Sequence, residues 1–171
     1  KDRAITIWDY ERLVLQAFPE IYKVKCLNHT RISGSASEGT LEYNEVAPEY
    51  VTVITVPDLR NRNDADPLRP YTKVSVLERI EDFLAKRISC HVRLGTAQPQ
   101  FEEVRMACRV VLAEGYIDVK YYTGELQREV TEFLSPWAFG GSGAIEFGGR
   151  IHKSVVIDFI RRDLLHSTST R

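Results

Sequence analysis

Chemistry is best sought first in the stretch FLSPWAFGGSGAIEFGGRIHKS, residues 133–154, where five glycines lie between aromatic residues and a Lys-Ser pair. A phosphate-binding loop needs G-x-x-x-x-G-K-[ST] between a strand and a helix, so that backbone N–H groups surround the phosphates and the lysine reaches them. Gly143 and Gly148 have that spacing, but Gly149 and Arg150 follow them, and Lys153-Ser154 come four residues late. The segment before Gly140 reads as a helix end and not as a strand. Ser142 in GGSGA comes close to G-x-S-x-G, failing at Ala144. A nucleophile elbow must also follow a strand and open a helix, and neither context is present. The competing reading is that the glycines supply tight turns while Trp137 and Phe139 pack on a sheet.

The remaining reactive side chains do not converge. His29, His91, His152 and His166 are scattered, with no carboxylate or cysteine at ligand spacing, which leaves neutral surface or strand-end histidines. Asp64 and Asp66 in NDADP sit in a loop but lack the glycine and final glutamate of an EF-hand. Cys26, Cys90 and Cys108 stand far apart, each in an apolar, strand-like stretch, and are expected to pack as buried thiols in a reducing compartment. No acid/base pair, metal cluster or nucleophile triad emerges.

Composition agrees with a folded, largely neutral protein. Of 171 residues, 43% are hydrophobic and 27% charged, and the net charge of −1 offers no basic stripe for nucleic acid. No apolar run approaches the roughly 18 residues of a membrane span. Nothing at the start reads as a secretory leader. The chain begins without Met, and is expected to be the C-terminal part of a longer protein.

Periodicity then supplies the elements. Residues 8–18, WDYERLVLQAF, carry Trp8, Leu13, Leu15 and Phe18 among charges, an amphipathic helix stopped by Pro19. IYKVKCLNH alternates imperfectly and reads as a strand. Residues 30–48, rich in Ser, Gly and Glu, read as a mobile loop or a long hairpin connection. YVTVITVPD is a β-branched run expected to be a central strand. Ser75 and Glu78 match a capping box at the start of SVLERIEDFLAKR, and ISCHVRLGTAQ is a further strand candidate. After Pro99, Phe101–Leu112 alternates as a long strand would, a helix follows over about 118–134 that Pro136 ends, and Ser154 caps a last helix.

The economical architecture is α+β: two α/β-plait-like, ferredoxin-like units, each an antiparallel sheet with helices on one face. The first would span 1–98 with the Ser/Gly-rich loop 30–48, and the second 99–166 with the glycine-aromatic segment, leaving 167–171 as a frayed tail.

Three stretches together resemble the baseplate J-like family, the large baseplate wedge proteins of contractile phage tails and phage-tail-like contractile injection systems. They are DYERLVLQAFPEIYKVKCLNHT, the loop VPDLRNRNDADPLRP at 56–70, and FLSPWAFGGSGAIEFGGRIHKSVVIDFI. They occur in the family's order and cover most of residues 7–160. The resemblance implies a structural subunit with no covalent chemistry and no cofactor. Such a wedge joins the spike and tube hub to the sheath and passes on the contraction trigger. Implied partners are other wedge subunits (as homo- or hetero-dimer), sheath, inner tube and spike proteins, with neither nucleic acid nor membrane insertion. Assembly would be cytoplasmic, into a particle released or docked at a membrane as a whole.

Two surfaces are the candidate contacts. One is the glycine-aromatic bend with Pro136, Trp137, Phe139, Gly140, Gly141, Gly148 and Gly149, for which burial in the chain's own core is the competing reading. The other is loop 57–72 with Arg60, Arg62 and Arg69 beside Asp58, Asp64 and Asp66, which could equally be a solvated connector. The alternative function is a small-ligand or nucleotide-binding α+β domain using residues 140–149, whose binding Gly143→Val or Lys153→Ala would abolish. An α/β-plait module for nucleic acid would instead show salt-dependent binding.

Overall fold

A computed structural model describes residues 3–33, 42–59, 66–109, 118–139 and 147–167, with side chains as far as Arg162. The chain divides into two compact units, Lys1–Glu102 and Glu103–Arg171.

The first unit opens with α1, Ile7–Ala17. Thr6 and Asp9 form its capping box: the Thr6 hydroxyl accepts from the Asp9 N–H, and the Asp9 carboxylate accepts from the Thr6 N–H at 2.8 Å. These bonds hold the Asp9 carboxyl below its ordinary range, the Thr6 backbone contributing most. The helix turns Tyr10, Val14 and Phe18 inward, four residues apart, onto strand β1, Ile21–Asn28. Trp8 and Leu15, expected on that inner face, lie outside instead. At 100° per residue they fall roughly 100–120° from the centre of the arc of Tyr10, Val14 and Phe18, outside the buried face.

Strand β1 carries a bulge between Ile21 and Lys23. The extra residue puts Ile21 and Val24 on the same face as Cys26, all three buried. This explains why its alternation looks imperfect. Strands β2, Arg31–Ser33, and β3, Glu42–Asn44, pair antiparallel, so the Ser/Gly-rich stretch is a hairpin connection. Strand β4, Tyr50–Pro57, is central, flanked by β1 and by β5, Arg93–Ala97. Helix α2, Val74–Ala85, lies between β4 and β5 in the chain.

The α+β class holds, but the three-stranded sheet of the first unit is mixed where an antiparallel one was expected, and the described residues of the second unit contain helices and no strand. Strand β1 runs antiparallel to β4, whereas β5 is parallel to it. The crossover through α2 returns the chain to the same end of the sheet, which obliges parallel pairing. Both helices cover one face, where Val14, Val24, Val53, Ile80 and Leu84 form the centre of the core. The expected Ser75 capping box is not formed. The N-cap is Lys73, which makes no side-chain cap bond, and Ser75 lies inside the helix.

In the second unit, α3, Val119–Leu134, is capped by Asp118, whose carboxylate accepts from the Tyr121 N–H at 3.0 Å. It packs Leu126 and Val130 against Val156 of α5, Lys153–Ser167, and Phe133 stacks on Phe159 at 4.2 Å. Between them lies the short α4, Pro136–Phe139. Ser154 is inside α5 and is not its cap. Residues 101–109, expected to begin a long strand, are in neither helix nor strand. Glu102–Arg109 are exposed, and among the described residues no strand pairs with them. Alternation without a neighbouring strand does not make a sheet. It does place Val104, Met106 and Cys108 together on one wall of a groove of about 680 Å³ that α3 closes with Tyr122 and Leu126.

Candidate assembly surface

The described ends of segment 57–72 are anchored to the first unit. The Asp58 N–H donates to the Glu20 carbonyl at 2.9 Å, and Leu59 is buried. At the other end Pro70 and Thr72 are buried. The Gln98 side chain grips the Thr72 peptide groups twice, accepting from its N–H at 3.0 Å and donating to its carbonyl at 2.6 Å. The amide thus completes the backbone pairing that another strand would have supplied. The Thr72 hydroxyl donates to the Thr55 carbonyl at 3.3 Å and lies 2.9 Å from the Thr55 hydroxyl, both side chains being buried. Asp66 makes a local turn, accepting from the Leu68 N–H through its carboxylate at 3.1 Å and from the Arg69 N–H through its carbonyl at 3.2 Å. Arg69 is exposed. Arg60, Arg62 and Asp64 lie outside the described residues.

Near this base, exposed Tyr71 meets the Phe101 ring edge-on at 6.0 Å, and Leu68 and Val74 are also exposed. The Tyr43 hydroxyl donates to the Gln100 side chain at 3.0 Å.

The glycine-aromatic segment divides between interior and surface. Ser135 ends α3 and accepts from the Ala138 N–H at 3.0 Å, so Pro136 opens a new turn as well as ending the old helix. Pro136 is buried, Trp137 half-buried and Phe139 48% exposed. Gly148 has φ +66°, a left-handed turn position that glycine adopts without a Cβ penalty, and Gly149 beside it is exposed. Gly140, Gly141, Ser142 and Gly143 lie outside the described residues. Lys153, the lysine weighed for a phosphate, begins α5 and is exposed.

The outer stripe of α1 was missed by sequence reasoning. Trp8 is 60% exposed, the Arg12 guanidinium lies 4.9 Å over its ring, Leu15 is exposed on the same side, and Ile5, just ahead of the helix, is 80% exposed. Tryptophan and arginine are the residue types that most often dominate protein interfaces. The available signal was the phase of Tyr10, Val14 and Phe18, which assigns the inner arc and leaves Trp8 and Leu15 on the other.

The reactive side chains remain apart. His29, His91 and His152 are exposed, and among the described residues no group of three or more His, Cys, Asp or Glu could hold a metal ion. Cys26 is buried as expected, and its thiol is pushed up to about 12 by burial first and by Glu11 second. Cys90 and Cys108 are exposed: Cys90 falls in the turn before β5, and Cys108 in the irregular segment beside α3. No helix among the described residues is long and apolar enough to cross a membrane.

The described residues thus give a mixed sheet backed by two helices, a polar segment held at both ends, and several aromatic side chains exposed to solvent. Across residues 1–169 the sequence matches the family model of PVC11-like baseplate proteins, and the chain belongs to that family. Its fold is similar to that of a chain in the cryo-EM structure of the anti-feeding prophage (AFP) baseplate, 6-fold symmetrised, with a TM-score of 0.64 and 20% identity. That match covers 95% of this chain and 31% of the other, so this chain spans about a third of the length of the baseplate chain it matches. No curated protein matches it.

Proposed function

We propose that this baseplate protein is a wedge subunit of the J-like type in a contractile injection machine. In this role it links the spike and tube hub to the sheath and relays the contraction trigger through protein–protein contacts, without covalent chemistry. The observation that carries the reading is the family match over nearly the whole chain. The likeness to the AFP baseplate chain supports the fold, and the three stretches resembling J-like proteins favour the wedge assignment.

The contacts proposed are loop 57–72, with Arg60, Arg62 and Arg69, and the bend carrying Trp137 and Phe139 with Gly140, Gly141, Gly148 and Gly149 around it. Pro136, being buried, holds that bend in place from within. The loop's clamped base supports this: a contact surface transmits force only if its foundation does not yield. The outer stripe of α1 adds a third surface of interface composition. Partners would be neighbouring wedge subunits, sheath, inner tube and spike, in a particle assembled in the cytoplasm.

The test is to tag the full-length protein in its native host and identify what co-sediments with it in a high-speed particle pellet. Sheath, tube and spike-type proteins in that pellet are expected. A protein left alone in the supernatant while particles form normally would overturn the proposal.

A further inference from the structure

Strands β1 and β5 are the two outer edges of the three-stranded sheet. Such edges present unpaired N–H groups on which a strand of another chain can add. The His29 N–H donates inward to the Tyr50 carbonyl at 2.9 Å, so by alternation the Cys26 N–H points outward from β1. The Arg93 N–H likewise donates inward to the Glu49 carbonyl at 2.7 Å, which leaves the Thr96 N–H pointing outward from β5. Each of these outward groups is taken by a glutamate from the helix packed beside it. The Glu11 carboxylate of α1 accepts from the Cys26 N–H at 3.0 Å. The Glu81 carboxylate of α2 accepts from the Thr96 N–H at 2.9 Å and from the Thr96 hydroxyl at 2.6 Å.

We infer that Glu11 and Glu81 are edge guards that keep the sheet at three strands. Among the described residues the same device appears on both edges, supplied by two different helices. A carboxylate so placed satisfies the donor, and it also sets a negative charge where an incoming strand would bring a carbonyl oxygen. Lys25 Nζ lies 4.0 Å from the same Glu11 carboxylate beside the β1 edge, a partly exposed pair. The guards do not depend on the proposed function, and they matter for any chain that works at high local concentration.

The test compares the full chain with Glu11→Ala/Glu81→Ala and with the control Glu11→Gln/Glu81→Gln, whose amide oxygens can still accept. Amide exchange at Cys26 and Thr96 and sedimentation velocity over a concentration series are read together. The alanine pair is expected to exchange both amides roughly tenfold faster and to self-associate with a rise in β-sheet signal, while the glutamine pair exchanges as the unsubstituted chain does. Faster exchange with no new association would show local hydrogen bonds and no guarding role, overturning the inference. Unchanged exchange would overturn it as well. Should the alanine pair not fold, single Glu81→Ala is subjected to the same two readings, with the same outcomes deciding for the β5 edge.

Discussion

Replacing Gln98 with alanine tests whether loop 57–72 stands on a fixed base. The substitution removes two hydrogen bonds to one peptide segment, at 3.0 and 2.6 Å, at a residue that is not itself part of the core cluster. Each bond contributes about 1 kcal/mol net, and a buried N–H or carbonyl left without a partner costs about 1–3 kcal/mol. Thr72 is only 3% exposed, so water replaces the lost partners poorly. The expected destabilisation is therefore about 2–3 kcal/mol. In urea, with a slope of about 1–3 kcal/mol per molar, the midpoint should fall by about 0.7–3 M. Gln98→Glu separates the two bonds. It retains an acceptor for the Thr72 N–H but offers no donor to the Thr72 carbonyl, and sets a carboxylate against that oxygen. It should cost at least half as much as alanine. Under the proposed function, both variants should also enter particles less well than the parent at equal expression. If both melt within about 0.5 kcal/mol of the parent, the clamp contributes nothing and the base of the loop is held by other contacts.

Thiol labelling of the native chain should show Cys90 and Cys108 reacting readily and Cys26 staying protected until unfolding, because burial and Glu11 raise the Cys26 thiol to about 12; a Cys26 that reacts as fast as the others would contradict its placement. The Asp9 carboxyl is lowered in the folded state by the Thr6 bonds. Its contribution is thus present above the ordinary carboxyl value and lost as pH falls through the lowered folded value, and Asp9→Asn should flatten that part of the acid unfolding curve. Trp8→Ser should change stability by no more than about 0.5 kcal/mol, since the ring is mostly in solvent, yet lower recovery of the chain in the particle pellet. A large loss of stability would mean the ring is part of the chain's own core.

Some elements were legible because one physical signal dominated them. Strand β4 is a β-branched run buried on both faces, and α3 carries Leu126 and Val130 at helical spacing. Other elements depended on distant partners. The parallel placement of β5 follows from the crossover through α2, which no local pattern in RLGTA encodes. The alternation of Val104, Met106 and Cys108 looks like that of a strand, but its pairing partner is not found among the described residues. Ser75 offers an acceptable capping motif two residues past the actual N-cap, Lys73, while Thr6 and Asp9 form the real box with an aspartate where glutamate is usual. Of the candidate contacts, exposure was legible for the polar Arg69. It was not for Pro136 and Phe139, neighbours in sequence that end up on opposite sides of the surface.

Helix α1 shows why an assembly protein resists this kind of reading. An amphipathic helix in a monomer turns one apolar arc inward and leaves a polar arc to water. Here Tyr10, Val14 and Phe18 fill the inner arc, while Ile5, Trp8 and Leu15 stand outside with Arg12 over the indole. Apolar periodicity sums both arcs, so the inner phase is blurred and Trp8 is assigned to the core. A helix with two apolar arcs and one interior to fill has a surplus, and that surplus is what a second interior, between chains of a particle, would consume. The same economy accounts for the guarded edges. A chain that displays apolar side chains for selected contacts must prevent the indiscriminate pairing that its sheet edges invite, and Glu11 and Glu81 meet that need from the two helices that build the core.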